Sequence, residues 1–196
     1  MTEGDLTVER HPFEPFLPAG AKVLMLGSFP PQHKRWCMEF YYPNWLNDFW
    51  RICGTVFYGD RDHFVIPGEK RFDIRMVKDF CLEKGIALYD TATEVRRLKD
   101  NASDRFLEVV TPTDIPALLA QIPECRAVVT TGQKATDVLA GAFGCGEPPV
   151  GGRAGVSAAG RPLDFWRMPS TSRAYPLPLE RKADAYRHLF TSLGLI

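Results

Sequence analysis

The sequence predicts an α/β fold, a three-layer α/β/α sandwich on a mostly parallel central sheet of four strands. Three observations lead there. Apolar runs of strand length recur four times, at residues 22–26, 86–89, 127–130 and 163–166. Segments with the apolar spacing of one helix face lie between them, and such alternation gives a parallel sheet covered on both sides. The runs also stop at glycine or polar residues, Gly27-Ser28, Asp90-Thr91, Thr131-Gly132 and Arg167. Ligand sites of open α/β sheets form beyond such carboxyl ends.

Residues 1–21 hold Pro12, Pro15 and Pro18 and read as an extended lead-in, packed by Phe13, Phe16 and Leu17, to a single domain spanning 1–196. The first strand closes at Gly27, and Pro30-Pro31 then bars a plain crossover. Seven aromatic side chains crowd into residues 36–50 beside Asn44, Asn47 and Asp48, which marks this segment as the place for a pocket. Asn44 is placed to cap a helix whose buried stripe is Trp45, Phe49, Ile52 and Val56; Asn47 lies off that stripe, free to face the pocket.

Residues 60–71 look like a surface loop. A helix from about Asp73 turns Met76, Val77, Phe80 and Cys81 inward and stops at Gly85. The stretch from Arg96 to Thr111 is the least legible: Phe106, Val109 and Val110 fit helix or strand, and Arg96, Arg97 and Lys99 fit a phosphate contact or a solvated turn. Thr113 or Asp114 caps a short helix with Pro116 in its first turn. Thr131-Gly132 leads into a helix from about Gln133 to Leu139, leaving backbone N–H groups for a base edge or an anion. The seven glycines of residues 141–162 suggest a mobile loop, with neither a Walker nor a dinucleotide glycine pattern. A polar loop, residues 168–173, precedes a terminal helix starting near Pro178 with Leu179, Ala183, Tyr186, Phe190 and Leu193 on one face.

Composition narrows the function classes. No apolar run approaches the 18 or so residues of a membrane span, and Met-Thr-Glu-Gly-Asp lacks the regions of a signal peptide, so a cytoplasmic monomer without membrane contact is expected. Five dispersed cysteines and four histidines without ligand spacing predict no disulfide framework, no metal and no cofactor. Net charge is zero, yet residues 151–190 carry seven arginines and lysines against Asp164, Glu180 and Asp184, so a local basic face is open while global attraction to nucleic acid is not.

Five motifs in order, across nearly the whole chain, resemble the uracil-DNA glycosylase superfamily, particularly its hypoxanthine-directed and mismatch-specific branches. They are Gly27-Ser28-Phe29-Pro30-Pro31; the tyrosine-rich segment 41–50 ending Asn47-Asp48-Phe49-Trp50; Gly85-Ile86-Ala87-Leu88-Tyr89-Asp90; Thr131-Gly132-Gln133-Lys134-Ala135; and Met168-Pro169-Ser170-Thr171-Ser172-Arg173-Ala174.

The resemblance implies a monofunctional glycosylase that flips a deaminated base from DNA and hydrolyses its N-glycosidic bond, starting base excision repair. Asn47 maps onto the asparagine that positions water in the hypoxanthine-directed branch, with Asp48 as its competitor. Ser28, Phe29, Tyr42, Asp90 and Thr131 map onto base-binding positions. Ser170, Thr171, Ser172, Arg173 and Lys182 are implied contacts to DNA containing a damaged or deaminated base. The acid that some members carry in the first motif is absent here, and Met168 replaces a histidine. Those two departures keep a non-catalytic damaged-DNA or nucleotide binder open. A nucleoside hydrolase is a further alternative; ester hydrolysis is disfavoured because no Gly-x-Ser-x-Gly elbow occurs.

Overall fold

The computed structural model describes residues 7–100 and 103–196, so the first six residues of the lead-in lie outside it. Within the lead-in, Val8–Arg10 is a short strand, β1. The next elements are β2 (Val23–Gly27), α1 (Phe49–Tyr58), α2 (Ile74–Lys84), β3 (Ile86–Asp90), β4 (Ala92–Arg97), β5 (Leu107–Pro112) and α3 (Ile115–Gln121). Then follow β6 (Ala127–Thr131), α4 (Gln133–Phe143), β7 (Gly152–Ala158), β8 (Arg161–Met168) and α5 (Leu179–Ser192).

The general architecture is α/β/α, and all four expected strands are present, mutually parallel, as β3-β2-β6-β8. In chain order they stand 2-1-3-4, so the topological switch lies between β2 and β6, where Gly27-Ser28 and Thr131-Gly132 emerge side by side. Val23 through Leu26 are wholly buried, as continuous apolar runs covered on both faces require. Helix α1 packs on α5, and α4 on β6 and β7.

One expectation about the sheet needs correction, and one open stretch is resolved. The central sheet has five strands: part of the supposed glycine-rich loop forms β7, antiparallel to β8. Ala158 pairs with Arg161 across Ala159-Gly160, both at positive φ (50° and 72°), the backbone of a two-residue type I′ hairpin. Ala-Gly is a weaker hairpin signal than Asn-Gly, so glycine content masked the strand. The two ends of the illegible stretch 96–111 belong to a second, three-stranded antiparallel sheet ordered β1-β4-β5. Phe29 packs against this sheet through Ala92, Val95 and Leu107.

Helix α1 also starts later than expected. Asn44 caps a turn instead, its Oδ1 accepting from Leu46 N–H at 2.9 Å, and the helix begins at Phe49, whose N–H donates to Asn47 Oδ1 at 2.9 Å. Trp45, taken for part of the helical stripe, sits in that turn, with the Arg51 guanidinium 4.2 Å from its ring centroid. The lead-in is tied to the fold: Phe16 and Leu88 exchange backbone hydrogen bonds, covering the β3 edge of the central sheet. No helix among the described residues is long and apolar enough to cross a membrane.

Candidate functional site

Most of the buried polar side chains among the described residues gather where the parallel strands end. Ser28, Phe29, Asp90 and Thr131 keep 7–9% of their surface, against 0% for Val23 through Leu26. Solvent therefore reaches the strand ends and stops there. Two surface depressions lie elsewhere, one of about 590 Å³ beside Arg126 and Asp164 and one of about 530 Å³ beside Trp36 and Phe72. Neither is lined by Asn47, Asp90 or Thr131.

The floor of the strand-end site is made by close approach. A Cβ on Gly27 would come within 2.6 Å of Asp90 Oδ1, so only glycine leaves that carboxylate its place. Thr131, at the end of β6, meets the Tyr42 hydroxyl at 3.0 Å. Tyr42 holds a left-handed backbone (φ 52°), rare for a residue with a side chain. Its ring stacks on Phe49 with centroids 3.8 Å apart. Burial pushes the Tyr42 phenol far above its ordinary pKa, against the pull of the Thr131 hydrogen bond, so it serves as a neutral hydroxyl.

The second half of the site hangs from the loop after β8. Asn47 and Ser172 form an antiparallel bridge, and Asp48 N–H donates to Thr171 O at 2.8 Å. Asn47 thus stands half-buried at the carboxyl edge, joined to the floor through the Phe49–Tyr42 stack. Its Oδ1 already accepts from Phe49 N–H; a carbonyl oxygen has two lone pairs, so one acceptor position remains.

Asp48 is placed differently. Arg173 Nε donates to its Oδ1 at 3.1 Å and Lys182 Nζ to its Oδ2 at 3.2 Å. Both oxygens thus bind cations, a setting for a clamp rather than for taking a proton from water. Lys182 also donates to Ser172 O at 2.8 Å. Its side chain is 1% exposed, so the expected reach from α5 to a DNA backbone is corrected: this ammonium is spent inside the protein. Thr171, likewise expected at the DNA, is turned inward and buried.

The remaining expected DNA contacts are at the surface. Ser170 Oγ accepts from Ser172 N–H and Ser172 Oγ from Ala174 N–H, both at 3.2 Å, which leaves each hydroxyl proton free to point at a phosphate oxygen. Arg173 is exposed. Phe29 is mostly committed to packing, with Arg97 5.7 Å from its ring centroid, and shows the site only a narrow edge.

Two residues of the site escaped the sequence. His11, in the lead-in, brings Nε2 to 2.7 Å from Asp90 Oδ2. Its ring meets Phe29 edge-on at 5.3 Å and lies 4.6 Å from Tyr89. Asp104, in a 3-10 turn (Asp104–Phe106) before β5, is exposed as a residue, while its carboxyl interacts with Ser28 and the Asp90 charge at the strand ends. Burial of that group pushes its pKa up and the Asp90 charge adds to the rise, while Ser28, Arg97 and Lys134 oppose it. No local motif flagged either residue, because each arrives from the second sheet through contacts distant in sequence.

No protein-family model and no curated protein matches the chain. Among solved structures, the chain is similar to the solution NMR structure of a "putative Uracil DNA glycosylase" from Methanosarcina acetivorans. The two share 19% identity with a TM-score of 0.64, over 96% of this chain and 99% of that one. At that identity the likeness establishes a common fold.

Proposed function

We propose that the protein hydrolyses the N-glycosidic bond of a deaminated base, uracil or hypoxanthine-like, flipped out of DNA, with Asn47 orienting the attacking water. The observation that carries this reading is the place of Asn47: an amide with one unused carbonyl acceptor position, fixed at the carboxyl edge by its bridge to Ser172 and joined through Phe49 and Tyr42 to the site floor. The whole-chain likeness to the structure described as a "putative Uracil DNA glycosylase" supports it.

In this mechanism the C1′–N bond breaks and its electron pair leaves with the base. Water oxygen bonds to C1′ and releases a proton to solvent. An amide is no base near neutral pH, so Asn47 works by geometry: accepting a hydrogen bond from water holds the oxygen in line with C1′. Positioning suffices when bond breaking runs ahead of attack. Ser170, Ser172 and Arg173 hold the phosphates flanking the flipped nucleotide, without reading sequence. Asp48 and Lys182 keep the Asn47 segment and the phosphate loop in register.

A second reading, a damaged-DNA binder without hydrolysis, is favoured by Ser28 and Met168 standing where acid and histidine are absent. The deciding test incubates the protein with single strands and duplexes containing uracil, hypoxanthine, xanthine or mismatched thymine, followed by alkaline cleavage of abasic sites. Strand cleavage with at least one base is expected. Binding to damaged DNA without product from any substrate would leave the binder.

A further inference from the structure

His11 and Asp90 form an enclosed titratable pair at the strand ends, with side chains 3% and 10% exposed. Phe13 N–H lies 3.1 Å and Phe13 O 3.0 Å from His11 Nδ1, so that nitrogen finds a backbone partner in either role while Nε2 faces the carboxylate. A carboxylate oxygen accepts, so across the 2.7 Å contact Nε2–H donates and Asp90 Oδ2 receives. Packing against Phe29 and Tyr89 keeps the ring from turning away.

The pair is lopsided. Oδ2 is held by His11, whereas Oδ1 bonds to nothing among the described residues and lies over Gly27 in the narrow opening between β2 and β6. Oδ1 is not sealed from solvent, the Asp90 side chain keeping 10% of its surface, so a donor that enters the site can replace water on it. A free oxygen beside a missing Cβ is what an incoming donor requires.

We propose that His11 is a positioning residue for base recognition: by holding Asp90 Oδ2 it fixes the carboxylate as an acceptor and aims Oδ1 at an N–H group on the edge of an inserted base. This rests on the proposed function above and adds the class of edge that the site admits. An amide at position 90 would turn over to serve either a donor or an acceptor. The pinned carboxylate accepts only, so it admits a base offering N–H and repels one presenting a carbonyl or a ring-nitrogen lone pair. It also makes the lead-in strand part of the site, because β1 delivers His11 through its pairing with β4 and the bond from His11 N–H to Thr93 O at 2.8 Å.

The test uses duplexes with 2′-fluoro nucleotides, which resist glycosidic cleavage, so affinity is read without turnover. Hypoxanthine is compared with unsubstituted purine, and uracil with 2-pyrimidinone; each second base lacks the ring N–H. Wild type is expected to bind the N–H base of at least one pair about 10-fold or more tightly, the range for a hydrogen bond to a charged group. His11→Leu brings that ratio to within about 2-fold of unity while affinity for the base lacking N–H stays within about 3-fold; His11→Gln, which restores an N–H donor, recovers most of the ratio. An unchanged ratio in His11→Leu overturns the proposal, as does an equal loss on both bases or a glutamine variant no better than leucine. If wild type excises a base yet shows no preference for N–H, His11 loses its role and excision stands. If wild type neither discriminates nor excises, both fall.

Discussion

Lys182 Nζ lies 3.2 Å from Asp48 Oδ2, across 134 positions of sequence, with the lysine side chain 1% exposed. The same ammonium holds Ser172 O, so one side chain ties the Asn47 segment, the loop after β8 and α5 together. Removing one partner of a buried pair leaves an uncompensated charge, at about 3–5 kcal/mol. Arg173 stays on Asp48, so Lys182→Met should cost about 3 kcal/mol, the lower end of that range, in denaturant unfolding. A loss below about 1 kcal/mol would show that the clamp does not hold these segments.

Gly27→Ala should act on the site more than on the core. The added methyl meets Asp90 Oδ1 at 2.6 Å, and the carboxylate cannot swing freely while His11 grips Oδ2. Overpacking of this kind costs about 1–3 kcal/mol. Affinity for DNA carrying a damaged base should fall together with thermal stability; a variant matching wild type in both would mean that Asp90 has room the close approach denies.

Asp104 predicts a pH dependence of stability. Burial first, then the charge of Asp90, raises its pKa in the folded protein above its unfolded value. The folded state therefore binds this proton more tightly, and the stabilisation is fully present below the ordinary carboxylate range and lost as pH rises through the raised folded value. Asp104→Asn removes the ionisation, so its melting temperature relative to wild type should rise as pH climbs above the ordinary carboxylate range. Parallel melting curves across that climb would contradict the placement of the carboxyl.

Much of this architecture was legible because single elements carry their own signals. Asp73 and Gly85 bracket α2 as the sequence predicts, the aspartate accepting from Arg75 and Met76 N–H and the glycine adopting φ 69°. Continuous apolar runs revealed β2, β3, β6 and β8 in the same way. What stayed hidden depends on partners far along the chain. The described residues of the 96–111 stretch are mostly exposed or half-exposed, and its strand ends are held by pairing, with β4 between β1 and β5. Asp48 and Lys182 look like a cap and a surface cation until folding places them 3.2 Å apart. His11 stands among three prolines with no periodicity around it, and only the second sheet carries it to Asp90.

The central claim rests on one amide. Asn47→Ala should lower the single-turnover rate of base excision by about 10²-fold or more, the loss typical of a group that acts only by orientation at the reacting centre, while affinity for damaged DNA stays within about 3-fold of wild type. An excision rate equal to wild type would remove Asn47 from the reaction and with it the proposed mechanism.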